Sequence, residues 1–473
     1  MSPDPGPDNP QAVSRRSFLN RSAATGLGIA LVGSVDVVFG ASAAEAAPAA
    51  RRDGTGRPHR IGYGPLVDDP AGLLSLPAGF SYTLIAESGV TRLESGELTP
   101  SDPDGTASFA RLDGGSVLVN NHEIDGAEPF PVPHLAGLVY DEQANGGTTN
   151  LEVDRHGNRV REYVSLAGTH NNCAGGPTPW DTWLTCEETE AVLGKPHGYV
   201  FEVDPHDRQR NREPKPIKAL GRYAHEAVAV DPHEGRIYLT EDAGNPNGLL
   251  YRFTPPRSAL PLRKGSLRAL ADDAGRLEAL VATARGAVVP DLSVATEPGT
   301  TYRAQWVTVP DRDAATTPTR KQFADGQITR SRKLEGMWWA DGGAYFVASF
   351  ARPADGSAVA HDGQVWFHDP RRGTIELKLR FAYTPDDQDN DADGPDNITV
   401  SPFGGVILAE DGEGASHLVG ATASGEAFFF ARNDLNDSEF TGPNFSDSRK
   451  ILFANIQTPG HVFAIQGPFT EQR

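Results

Sequence analysis

Positive charge is the first thing this chain is short of. It carries 43 Lys and Arg against 63 Asp and Glu, a formal net charge of −20. A negative field repels phosphate backbones, which argues against nucleic acid or an anionic membrane as the main partner. Sulfur is scarce too: 2 Cys and 2 Met allow at most one disulfide, Cys173 with Cys186, and exclude a cysteine-rich framework. Long apolar runs are missing, since the stretch at residues 23–35 stops at Asp36, short of the ~20 residues a membrane-spanning helix needs. Familiar catalytic signatures are absent as well. There is no G-x-S-x-G elbow, H-E-x-x-H, P-loop or credible dinucleotide fingerprint.

What the chain does have is 51 Gly and 37 Pro, spread along its length, which favours many short strands joined by turns over long helices. With 38% apolar and 22% charged residues it can fold around a core. The surplus acid is either a solvated coat or a store of carboxylates for hard cations.

Ser14-Arg15-Arg16-Ser17-Phe18-Leu19, followed by the apolar stretch and an Ala-rich segment, reads as a twin-arginine export signal over residues 1–46, cleaved after Ala46. Its removal takes away three Arg and four acidic residues, so the acidity belongs to the remainder, residues 47–473. The expectation is a periplasmic or extracellular protein without a membrane anchor, and a monomer.

Past the signal, β-rich runs recur around Gly turns. Phe109 to Asn120, Ala227 to Thr240, Met337 to Ala348 and Ile398 to Ala409 each read as a hairpin, with further strands at residues 198–203, 248–253 and 363–368. Repetition of this kind points to a β-propeller, and a multi-sheet sandwich is the alternative. The chain after Ala46 suits six blades of about 40–50 residues with inserted loops. Two stretches break the pattern. Leu267, Leu270, Leu277, Leu280 and Val281 fall at near-helical spacings and predict an amphipathic helix within residues 266–284. Residues 320–333 hold five basic residues and one acidic one, either a solvated loop or a phosphate-facing lid.

Carboxylates end the β-rich runs at Glu123, Glu187-Glu188, Glu241-Asp242 and Glu410-Asp411, while Glu226 and Glu335 stand where hairpins begin. In a propeller such positions converge on one end of the channel, and packed like charges call for cations. The acidic stretch at residues 386–397 begins like an EF-hand loop at Asp389, Asp391 and Asp393, but its twelfth position is Val400. It is therefore not an EF-hand, although calcium coordination by its oxygens stays open against a hydrated turn. Cys173 is open between disulfide and thiolate ligand. It sits in a small-residue turn where backbone can approach a ligand, whereas Cys186 ends a strand-like apolar run.

HNNCAGGPTPWDTWLTCEE from His170, HEAVAVDP from His225, LEG from Leu334 and GPDNITVSPFGG from Gly394 together resemble the PhoX-type alkaline phosphatase family over about residues 120–411. The resemblance implies an all-β, six-bladed propeller that hydrolyses small phosphate monoesters with two iron ions and two or three calcium ions. It implies Cys173 as an iron ligand, Glu188, Glu226 and Glu335 as iron or bridging ligands, and Glu123, Glu241, Asp396 and Glu410 as calcium ligands. Asn172 would orient the cluster. Lys333 stands where the family has Arg, with Arg332 or Arg330 able to take over the grip on phosphate, and a lysine offers a point charge rather than a planar fork. Two other readings stay open: a calcium-dependent propeller lactonase or phytase, which does not need Cys173, and a non-enzymatic extracellular binding propeller, which needs no metal.

Overall fold

Short two-sided strands cannot bury themselves alone, and the turns between them decide which ones pair. Leu334–Ala340 and Gly343–Ala348 are joined through Asp341 (φ 54°) and Gly342 (φ 78°), the left-handed pair that a tight two-residue hairpin requires. The other three hairpins expected from the sequence also form: Pro103–Ala110 with Ser116–His122, His225–Val230 with Ile237–Glu241, and Pro395–Val400 with Val406–Glu410. The computed structural model describes residues 61–385 and 391–472. The export signal, the first residues of the 47–473 region and Asp389 lie outside the described residues.

The protein is all-β, with only 3-10 turns as helix among the described residues, and its sheets are antiparallel meanders in a propeller-like arrangement. Pro103–Ala110 leads a meander through Ser116–His122 and Gly146–Val153 to Arg159–Thr169. Asn172–Pro177 leads Trp183–Glu187 and Val200–Val203. A larger sheet runs from His225–Val230 through Ile237–Glu241, Leu250–Thr254, Arg276–Ala284 and Thr301–Thr308 to Thr374–Phe381, then back through Gly363–Asp369 and Gly343–Ala348 to Leu334–Ala340. Pro395–Val400 leads Val406–Glu410, His417–Ala421 and Ala427–Asn433, extended at its outer edge by Leu74–Pro77. Phe440–Phe445 leads Ile451–Ile456 and His461–Gln466, and the fourth strand here is Ser81–Glu87 from the other end of the described chain. Each leading strand touches the next, and Phe440–Phe445 returns to Pro103–Ala110. The leading strands therefore line a closed ring, and the apolar layers lie between neighbouring sheets.

One expectation fails. Residues 266–284 are not a helix: a 3-10 turn at Leu267–Ala269 leads through Gly275 (φ 67°) into the strand Arg276–Ala284. That strand is apolar on both faces, with Leu277 and Ala279 in one core layer and Leu280 and Ala282 in the next. Filling both faces of a strand produces i, i+3 and i+4 coincidences that imitate a helix.

Candidate metal centre

The ring is lined by a repeated irregularity. Every leading strand loses register with its partner near its start: between Pro103 and Thr106, Asn172 and Gly175, His225 and Val228, Leu334 and Met337, Pro395 and Ile398, and Thr441 and Asn444. A bulge adds an unpaired residue, bends the strand and re-aims a side chain. The first residue within these shifts is in turn Asp104, Cys173, Glu226, Glu335, Asp396 and Gly442, so five of the strands offer a metal-binding atom from the same place. Crowding there is severe: a Cβ on Gly336 would lie 2.6 Å from the Asp396 carbonyl oxygen.

A second tier comes from the ends of the partner strands, where consecutive acidic residues divide their work. Side chains alternate across a strand, so one member of each pair turns into its own sheet and the other toward the ring. Glu187 accepts the backbone N–H groups of Gly198 and Tyr199 at 2.9 and 3.0 Å. Glu241 accepts Leu249 N–H and the Tyr251 hydroxyl, and Glu410 accepts His417 N–H and Nδ1 at 2.8 and 2.9 Å. Their neighbours Glu188, Asp242 and Asp411 join the central carboxylates.

Three groups of donors result, with the ligand atoms in each within 4.8 Å of one another: Cys173, Glu188 and Glu226; Glu226, Glu335 and Asp396; and Asp396, Asp411 and Glu439. Shared corners at Glu226 and Asp396 join them into one row. The first combines a soft sulfur with hard oxygens, and the third is all oxygen, so the row suits a transition metal at one end and a hard cation such as calcium at the other. Two charges 4.8 Å apart repel by about 3 kcal/mol at an effective dielectric of about 20. Three such pairs approach the whole stability of a domain, roughly 5–15 kcal/mol, so a fully ionised group needs cations. Without them, burial first and the neighbouring carboxylates second push Asp104, Glu188, Glu226, Asp396 and Glu439 well above the usual carboxylate range. Burial raises Glu335 to about 7 against the opposing pull of Lys333, and burial followed by Glu226 raises the Cys173 thiol. Asp104 Oδ1 is buried without a hydrogen-bond partner. The donor set and this orphaned oxygen fit bound metal.

Lys333 donates to Asp242 and contacts Glu335, both at 2.9 Å. Burial pushes Asp242 up, but Lys333 and Arg332 more than offset it and hold the carboxyl low. Arg332 sits at the rim, 3.7 Å from Asp242 and 3.5 Å from Asp355. Two further arginines of the basic island are tied down, while Lys321 is exposed. Arg320 pairs with Glu190 and Glu241, and Arg330 donates to the carbonyls of Asn247 and Arg320, so neither forms a phosphate-facing lid.

Cys173, Glu188, Glu226, Glu335 and Asp396 are thus brought together, and Glu123 joins them through the Asn171 amide, which donates to Glu123 at 3.2 Å and Glu188 at 3.1 Å. Cys173 and Cys186 are both free; no disulfide joins them. Glu241 and Glu410 stand apart from the row because they face one residue's rotation away from it. Asn172 is buried and spends its side chain on Thr169 and Thr185, so the amide that reaches the carboxylates is that of Asn171 instead. Asp104, Asn171 and Glu439 were not singled out from sequence, and Asp242 and Asp411 were named there only as second members of acidic pairs, with the ligand role given to the first. The acidic dipeptides carried a signal for Asp242 and Asp411, but nothing local marks Asp104 or Glu439.

A model of the family described as alkaline phosphatase PhoX matches residues 61–162 and 156–460. Comparison with curated protein sequences gives no match. Among solved structures, PhoX of Pseudomonas fluorescens in complex with vanadate, a transition state analogue, superposes with a TM-score of 0.65 at 19% identity, covering 86% of this chain and 98% of that one. A gluconolactonase, XC5397 from Xanthomonas campestris, gives 0.39 at 12% identity over 87% and 99%.

Proposed function

Because the chain belongs to the alkaline phosphatase PhoX family, we propose that it is an exported, metal-dependent phosphatase acting on small phosphate monoesters. The observation that carries this reading is the ring of bulges, which aims Asp104, Cys173, Glu226, Glu335 and Asp396 at one centre. On this reading the fold is a six-bladed propeller, with Thr301–Thr308 bridging two blades of the largest sheet and Ser81–Glu87 completing the last.

Cys173, Glu188, Glu226 and Glu335 would hold two iron ions, and Asp396, Asp411, Glu439 and Glu123 two or three calcium ions. Bound metal supplies Lewis acidity, which polarises the phosphoryl group and makes water a competent nucleophile near neutral pH. The chain's own residues do the remainder. Lys333, partly buried and with desolvation opposed by Asp242 and Glu335, keeps its proton well above the ordinary range and offers a fixed positive charge for the equatorial oxygens of the transferring phosphoryl group. Asp242 and Glu335 hold that ammonium in place. Arg332 stands at the rim to meet the incoming dianion, and Asn171 fixes Glu123 relative to Glu188. The twin-arginine segment supports export in the folded, metal-loaded state.

Elemental analysis coupled to hydrolysis of p-nitrophenyl phosphate tests the proposal. Iron with calcium, and loss of activity in Cys173→Ala together with loss of iron, are expected. Calcium alone with an active Cys173→Ala, or a metal-free active protein, would overturn it.

A further inference from the structure

Glu187 does more than brace its own sheet. Besides the N–H groups of Gly198 and Tyr199, its buried carboxylate accepts His170 N–H at 3.0 Å and His197 Nδ1 at 2.6 Å. The other ring nitrogen of His197 lies 3.2 Å from Asp141 Oδ2. Asp141 is fixed in turn, accepting the N–H groups of Gln143 and Lys195 and donating its own to Gly168. A fully buried line of side chains, Asp141–His197–Glu187, thus runs from the loop between Ser116–His122 and Gly146–Val153 to the backbone of His170.

The next residue is Asn171. Its backbone is left-handed (φ 54°), a conformation Asn tolerates but does not hold unaided. Its carbonyl accepts Glu188 N–H at 2.9 Å, and its amide spans Glu123 and Glu188, which come from different sheets. The Glu241 clamp, by contrast, uses Tyr251 and reaches no residue of this kind.

Resting on the phosphatase reading above, we propose that Asp141 and His197 are positioning residues: through Glu187 and the His170 backbone they lock Asn171, and through it the spacing of Glu123 and Glu188, and so set how firmly the centre retains metal. Groups that orient ligands from behind typically alter metal affinity 10–100-fold.

The test is the rate at which the purified, metal-loaded protein gives up metal to EDTA, followed by elemental analysis, with melting temperature measured alongside. His197→Gln is expected to release metal about tenfold faster than wild type. Tyr251→Phe, which loosens the equivalent clamp at Glu241, should lower the melting temperature without that acceleration. Asn171→Ala should release metal as fast as the double variant with His197→Gln, because both act through the same amide. Asp141→Asn serves if His197→Gln does not fold. Wild-type release rates in both Asp141→Asn and His197→Gln, equal acceleration in Tyr251→Phe, or additive effects of Asn171→Ala and His197→Gln would overturn the inference while leaving the phosphatase reading intact. A wild-type protein that retains no metal would overturn both.

Discussion

Stripping metal from the centre should turn the protein's stability into a steep function of pH. The groups concerned are buried carboxylates whose folded-state pKa lies above the unfolded value. They bind protons more tightly when folded, so the stability they contribute is present in acid and is lost as pH rises through the folded pKa. For Glu335 the interval runs from 4.5 to about 7. At about 1.4 kcal/mol per unit this single group removes ~3 kcal/mol by pH 8. With an unfolding entropy of about 2.1 cal/mol/K per residue over roughly 400 residues, ~3 kcal/mol corresponds to a fall of about 3–4 °C in melting temperature. Asp104, Glu188, Glu226, Asp396 and Glu439 are raised as well, so the observed fall should exceed that figure. Thermal melts of chelated and metal-replete protein at pH 5 and pH 8 measure it. The chelated protein should melt markedly lower at pH 8 than at pH 5, and the gap between the two preparations should widen with pH. A melting temperature of the chelated protein that is flat from pH 5 to 8, or an equal fall in the replete protein, would refute the reasoning.

Three further outcomes separate neighbouring residues. Lys333→Met leaves Asp242 and Glu335 without their shared cation and should lower kcat/KM for p-nitrophenyl phosphate by about a hundredfold or more, at a stability cost of roughly 3–5 kcal/mol measured by denaturant titration. Asp411→Asn should reduce bound calcium with little change in the melting temperature of the calcium-free protein, whereas Glu410→Gln should leave calcium content unchanged and cost about 1.5–3 kcal/mol through its bonds to His417. Cys186→Ala should retain iron and activity with a modest loss of stability, in contrast to Cys173→Ala; loss of iron in Cys186→Ala would count against the division of roles between the two thiols.

The sequence by itself determined the class of the protein. Glycine and proline spread between β-rich runs favour turns and short strands over long helices, and the four hairpins read from them form where expected. It also determined most of the chemistry. Glu188, Glu226 and Glu335 stood out at the ends or starts of β-rich runs, whereas the ligand roles of Cys173 and Asp396 came from the resemblance to the PhoX-type family. What it could not resolve was orientation. Glu241 and Asp242 are one residue apart and chemically alike, yet a strand sends them to opposite faces, and only the register with the neighbouring strand says which meets the ring. The same holds for Glu410 with Asp411 and for Asn171 with Asn172. Arg276–Ala284 misled for a related reason, since burial on two faces erased the alternation that marks a strand. Asp104, on Pro103–Ala110, and Glu439, just before Phe440–Phe445, reach the centre from places far apart in the chain, and only closure of the ring gave them a role, because a metal site is defined by where side chains converge in space.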